Sequence, residues 1–153
     1  MTAHPPLRYP PDYPPTTRWK RFFLGVPWLG PDLRFFRALH ATQAARTAAS
    51  MAAWGGGVRQ ALAEAVGAIF AEHCAWPTPW FLPDDDVAVI ADGPGVGWFE
   101  DPDRGAAIKA IEALVGTRRP DAFWTSAGSA TLGALVDQLV HAAPSLQGQE
   151  RIG

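Results

Sequence analysis

Residues 58–75 carry the pattern that most limits how this chain can fold. Val58, Leu62, Val66, Ile69 and His73 recur at helical spacing together with Ala65 and Phe70, while Arg59, Glu64 and Glu72 lie off that stripe. A helix with one apolar face has to cover it with other elements, and the neighbouring sequence offers further helices for the purpose. Pro31-Asp32 opens a helix expected from 33 to about 54, rich in alanine and therefore high in intrinsic propensity, and Gly55-Gly56-Gly57 stops it. Asp101 suits an N-cap, Pro102 the first helical position and Asp103 the positive end of the helix dipole. The helix they start is expected to run through Ile108, Ile111, Leu114 and Val115 to Gly116, a natural stop. Thr131 is expected to cap a last helix whose apolar face is Leu132, Leu135, Val136, Leu139 and Val140, with Pro144 ending it. Val87–Ala91 is short enough to be a strand or a helical turn. The expected fold is mainly α: a small helical bundle with an extended N-terminal arm and at most one short strand at 87–91.

The arm, 1–31, is set apart from a helical domain at 32–153 by its composition. Pro5, Pro6, Pro10, Pro11, Pro14 and Pro15 alternate with Tyr9 and Tyr13, which favours an extended, polyproline-like backbone that moves freely unless it docks. A dense aromatic and basic stretch follows, broken by Gly25 and Pro27. Across 18–37, Phe22, Phe23, Leu24, Trp28, Leu29, Phe35 and Phe36 are more apolar surface than a mobile arm can leave in water; burying even four such side chains is worth roughly 6–12 kcal/mol before entropy. The expected cover is the arm's own domain, then a protein partner, then a membrane surface. Trp19, Lys20, Arg21, Phe22, Phe23, Trp28, Phe35 and Phe36 are the candidate contact residues of this arm.

Charge is split along the chain. Residues 1–59 hold eight basic against two acidic side chains, and 60–153 hold five basic against thirteen acidic, within an overall charge of −2. The halves either attract each other or face different partners, and in a chain this short mutual attraction is the simpler reading. Asp84, Asp85, Asp86, Glu100 and Asp103 form a candidate acidic face for a basic partner. The acidic remainder of the chain works against nucleic acid binding by the basic arm. The single cysteine, Cys74, excludes an internal disulfide framework and favours a reducing compartment. Met1 to Tyr13 has no apolar core of a signal peptide, and no stretch approaches the roughly 20 apolar residues that span a bilayer, so the expected location is the cytoplasm.

Motifs that would carry chemistry fall short. Gly93-Pro-Gly-Val-Gly97 places Trp98 where a dinucleotide fingerprint needs glycine, and Pro94 lacks a donor that a phosphate would use. The acidic loop lacks the ligand alternation, central glycine and terminal glutamate of an EF-hand, so its side chains read as caps and solvated charges. His4, His40, His73 and His141 share no metal-ligand spacing, and Cys74 reads as a small core residue that could act as a nucleophile only with a histidine brought in by the fold, for instance His141. Ser126 and Ser129 do not match a nucleophile elbow.

The order and spacing of 58–143 resemble the acyl carrier protein family. That resemblance implies a first amphipathic helix at 58–75, a long loop from Phe81 to Phe99 with Pro83-Asp84-Asp85, a central helix at 102–115 and a closing helix opening with Thr131-Leu-Gly-Ala-Leu-Val136. The family starts its central helix with the serine that carries phosphopantetheine, where this chain has Glu100-Asp101-Pro102 and no hydroxyl. The resemblance therefore implies a carrier-like scaffold without its attachment site. The expected function is a non-catalytic protein–protein interaction or accessory protein with a protein partner and no cofactor. The alternatives are an enzyme with a site assembled around Cys74 and His141, and a protein that associates with membranes through 18–37.

Overall fold

The computed structural model describes residues 4–11, 13, 34–94 and 103–143. Six α-helices and one 3-10 helix occupy most of them: α1 at Phe35–Ala44, the 3-10 helix at Ala48–Trp54, α2 at Gly57–Cys74, α3 at Val87–Asp92, α4 at Arg104–Val115, α5 at Asp121–Ala127 and α6 at Leu132–Ala142. The protein is a small helical bundle. Its axis is the amphipathic helix α2, which packs against α4, α6, the 3-10 helix and α3. Leu62, Val66 and Phe70 of its stripe are buried with Ile111 of α4 and with Leu132, Leu135, Val136 and Leu139 of α6.

The stop and start signals act as their chemistry requires. Gly116 follows α4 with φ 74°, and its N–H donates to the Glu112 carbonyl. The Thr131 hydroxyl accepts from Ala134 N–H at the head of α6. The chain leaves α2 at Ala75, which takes the left-handed region (φ 62°) while Trp76 N–H reaches back to the Ala71 carbonyl.

One expectation changes and two others are refined. The alanine-rich stretch 33–54 is not one helix, because Thr47 is extended (φ −128°, ψ 172°) and separates α1 from the 3-10 helix. Propensity yields there to tertiary bonds, since Gln43 and Arg46 turn into the loop at 78–85. Residues 87–91 are helical, not a strand. The strand-like step is one residue earlier, where Asp86 pairs with Thr131 as an isolated antiparallel bridge; Val87 N–H then donates to Ala130 and Ile90 N–H to Asp86, which closes a helical turn. Val87, Val89 and Ile90 are buried and Ala88 and Ala91 half-buried, so the turn packs with its branched side chains inward. Asp103 caps α4, accepting from Ala106 N–H at 2.9 Å; the expected cap Asp101 and Pro102 lie outside the described residues.

Two glycines allow the connection at 76–86 to lie against the helices. A Cβ at Gly67 would collide with the Pro79 carbonyl oxygen and press on the Phe81 ring at 3.2 Å. At Gly133 a Cβ would meet the Pro83 carbonyl at 3.0 Å, and the Gly133 N–H already donates to that oxygen. Gly67→Ala is therefore expected to destabilise the fold by about 1–3 kcal/mol despite alanine's better helix propensity. Urea unfolding reads this directly; a variant as stable as the parent would show that α2 and the 79–81 backbone are not in contact.

Candidate functional site

The polar centre of the molecule is built on Asp85 and Arg46, whose side chains are both 0% exposed. Arg46 Nη1 donates to Asp85 Oδ2 at 2.6 Å and Nη2 to Oδ1 at 2.9 Å, a two-pronged pairing. The carboxylate also accepts two backbone N–H groups, from Leu7 on Oδ1 at 2.8 Å and from Leu82 on Oδ2 at 2.7 Å. The guanidinium also donates to carbonyls, Nη2 to Pro5 at 2.9 Å and Nη1 to Trp80 at 3.3 Å, while its buried Nε has no partner among the described residues. Backbone bonds complete the junction: Asp86 N–H to the Leu7 carbonyl and Leu132 N–H to the Asp85 carbonyl. One ion pair thus ties the N-terminal segment, the end of α1, the 80–85 turn and the start of α6 together. Two charges can be withdrawn from water here because nearly every acceptor and donor position on them is used.

Around this centre other polar side chains bind the same connection. Gln43, 0% exposed, donates to the Thr78 carbonyl at 2.6 Å and accepts from Thr78 N–H at 3.0 Å. Trp54 Nε1 donates to the Phe81 carbonyl and Trp76 Nε1 to the Ile90 carbonyl, each at 2.8 Å. Gln43 continues the spacing of the buried Phe36 and Leu39 on the inward stripe of α1 although it is polar, and Arg46, buried just beyond the end of that helix, follows at the same spacing in sequence.

The described part of the N-terminal arm lies on its own domain as a strap. Leu7 is fully buried. The Tyr9 hydroxyl donates to Asp92 Oδ2 at 2.9 Å, and Asp92 also pairs with Arg104 at the head of α4. Burial, then the neighbouring Asp92 carboxylate, holds the Tyr9 phenol well above its ordinary 10.0. Tyr9 and Tyr13 pack edge-on against Phe35 and Phe36, with ring centroids 5.0–6.0 Å apart.

The candidate contact residues are placed unevenly. Trp19, Lys20, Arg21, Phe22, Phe23, Trp28 and Glu100 lie outside the described residues. Phe36 is in the core with its ring against Tyr9 and Tyr13 of the strap; Phe35 is half-buried in the same aromatic cluster. Asp84 and Asp103 are exposed and Asp86 is half-buried. Asp85 is a correction to the acidic face: it is inside the molecule, because Arg46 and two amides make burial of its charge tolerable. Sequence reasoning missed Arg46, Gln43, Leu7 and Tyr9 as organising residues. The one signal available for the first two was polar side chains at apolar positions of a helical stripe.

Cys74 is 1% exposed, and burial pushes its thiol from 9.0 up to about 11, while His141 is on an exposed position of α6. Among the described residues no group of three or more His, Cys, Asp or Glu side chains could hold a metal ion. Among them, too, no helix is long and apolar enough to cross a membrane. Comparison with models of protein families, with curated proteins and with solved structures finds no match.

Asp85→Ala leaves the Arg46 charge buried and is expected to cost about 3–5 kcal/mol. Asp137→Ala, which breaks the half-exposed pair with Arg59, is expected to cost less than about 1 kcal/mol. Equal losses in denaturant titrations of the two variants would contradict the organising role of Asp85. The Cys74 thiol is expected to react with a disulfide reagent at pH 8 about a hundredfold more slowly than a free cysteine. Because folding raises this pKa, the thiol's contribution to stability is complete below pH 9 and is lost as pH rises towards 11. A fast reaction at neutral pH in the folded protein would contradict this.

Proposed function

We propose that this protein is a non-catalytic interaction or accessory protein built on a carrier-like helical scaffold, with Trp19, Lys20, Arg21, Phe22, Phe23 and Trp28 and the exposed acids as contact surface. The observation that carries the reading is at the head of the central helix. Asp103 caps that helix with a carboxylate that accepts from Ala106 N–H, and Glu100-Asp101-Pro102, which the resemblance aligns with the carrier's attachment serine, offer no hydroxyl to load. The order of elements supports the scaffold: a long helix α2, a long connection containing α3, the central helix α4, the short α5 and the Thr131-capped α6. The deployment of buried polar side chains supports the non-catalytic half. Asp85, Arg46 and Gln43 direct their hydrogen bonds at one another and at backbone, and Cys74 is held as a thiol. What remains exposed for recognition includes Asp84 and Asp103, and this acidic surface suits a basic partner.

The full-length protein and a variant with Trp19, Phe22, Phe23 and Trp28 changed to serine test the proposal as baits in native extract. The wild type is expected to retain one protein in near-stoichiometric amount, and the variant, equally folded by circular dichroism, to lose it. Incubation with a phosphopantetheinyl transferase and coenzyme A is expected to leave the mass of the chain unchanged. A mass increment, or wild type and variant that both remain without a partner, would contradict the reading.

A further inference from the structure

Helices α2, α3, α4 and α5 leave between them a pocket of about 280 Å³. Its wall is Phe70 of α2, Ala88 and Ala91 of α3, Ile108 of α4, and Trp124 and Ala127 of α5. The space exists because three of these positions are alanine, where leucine-sized side chains would fill it. Trp124 is held in place by the bond from its Nε1 to Glu112 Oε1 at 2.9 Å, so the aromatic wall is set before any ligand arrives. At the mouth stand Asp92 and Arg104, paired with each other, with the Tyr9 hydroxyl of the strap on the other oxygen of Asp92.

We propose that this pocket is a binding site for a neutral, mainly apolar small molecule held without a covalent bond. Size sets the first limit: an apolar cavity of about 150 Å³ accepts benzene, so the larger space here suits a two-ring compound or an alkyl chain of about ten carbons. Charge sets the second. The acid and base at the mouth neutralise each other, so an anionic head must take Arg104 from Asp92, and a cationic head must take Asp92 from both Arg104 and Tyr9. A neutral ligand enters with both contacts intact, and its body meets carbon on the Phe70, Ile108 and Trp124 sides. This site is independent of the interaction reading and stands or falls separately from it.

The test uses the full-length chain and N-phenyl-1-naphthylamine, an uncharged fluorophore of suitable size. One saturable site is expected. Ala88→Phe and Ala91→Leu, both at half-buried wall positions, are each expected to weaken binding at least about tenfold. Unfolding midpoints select which variants are compared, so that loss of fold is not counted as loss of the pocket. In competition, 1-decanol is expected to displace the probe at a concentration at least about tenfold below that of decanoate. Unsaturable binding, or equal affinity in wild type and folded variants, overturns the site. Displacement by decanoate as good as or better than by the alcohol overturns the neutral class of ligand.

Discussion

The structure depends on one buried ion pair. Arg46 and Asp85 are 39 residues apart, and no local element brings them together. Taking both from water is costly, and the cost is offset by the two-pronged geometry and by partners for nearly all of the remaining lone pairs and protons. That requirement is what makes the pair an organiser. The lone pairs left on Asp85 are satisfied by the amides of Leu7 and Leu82, so burial of the acid also positions the strap and the turn. The same residue's backbone carbonyl then receives Leu132 N–H, which sets where α6 starts. Hydrophobic burial along α2 stabilises the bundle as a whole, whereas the ion pair selects which segments meet at its end.

The strap follows from this junction. A proline-rich segment forms no internal ladder, so its backbone groups must find partners elsewhere or remain in water. Here Pro5 and Leu7 have partners on Arg46, Asp85 and Asp86, and the Leu7 side chain is buried in the core. Farther along, Tyr9 reaches Asp92 and thereby Arg104, so the strap is tied to the start of α4 as well. The Tyr9–Asp92–Arg104 relay connects the N-terminal segment to the mouth of the pocket between α2, α3, α4 and α5.

Much of the helical frame was legible in the sequence because it is written locally. The stripe of 58–75, the stop at Gly116 and the cap at Thr131 each act within a turn or two of themselves. The polar centre was not legible in the same way. Asp85 sits in a run of three acids, where a solvated face is the natural reading, and its true partner is distant in sequence. Gln43 and Arg46 could be suspected only from their place on the stripe begun by Phe36 and Leu39. Helix α5 has seven residues, too few for propensity to reveal, and the bond between Trp124 and Glu112 anchors it to α4. At 87–91 five apolar residues fit two periods equally, and the choice was made by pairing at Asp86 and Thr131, outside the segment itself.

Asp85 fixes the strap to the core, and amide hydrogen exchange at Leu7 reads that attachment residue by residue. Leu7 lies among prolines in a segment with no ladder of its own, where an undocked backbone would exchange within moments at neutral pH. The structure predicts that its N–H exchanges nearly as slowly as that of Val66 in the middle of α2, and that Asp85→Asn speeds it far more than it speeds Val66. An N–H at Leu7 that exchanges like an unstructured peptide, while Val66 stays protected, would contradict the account.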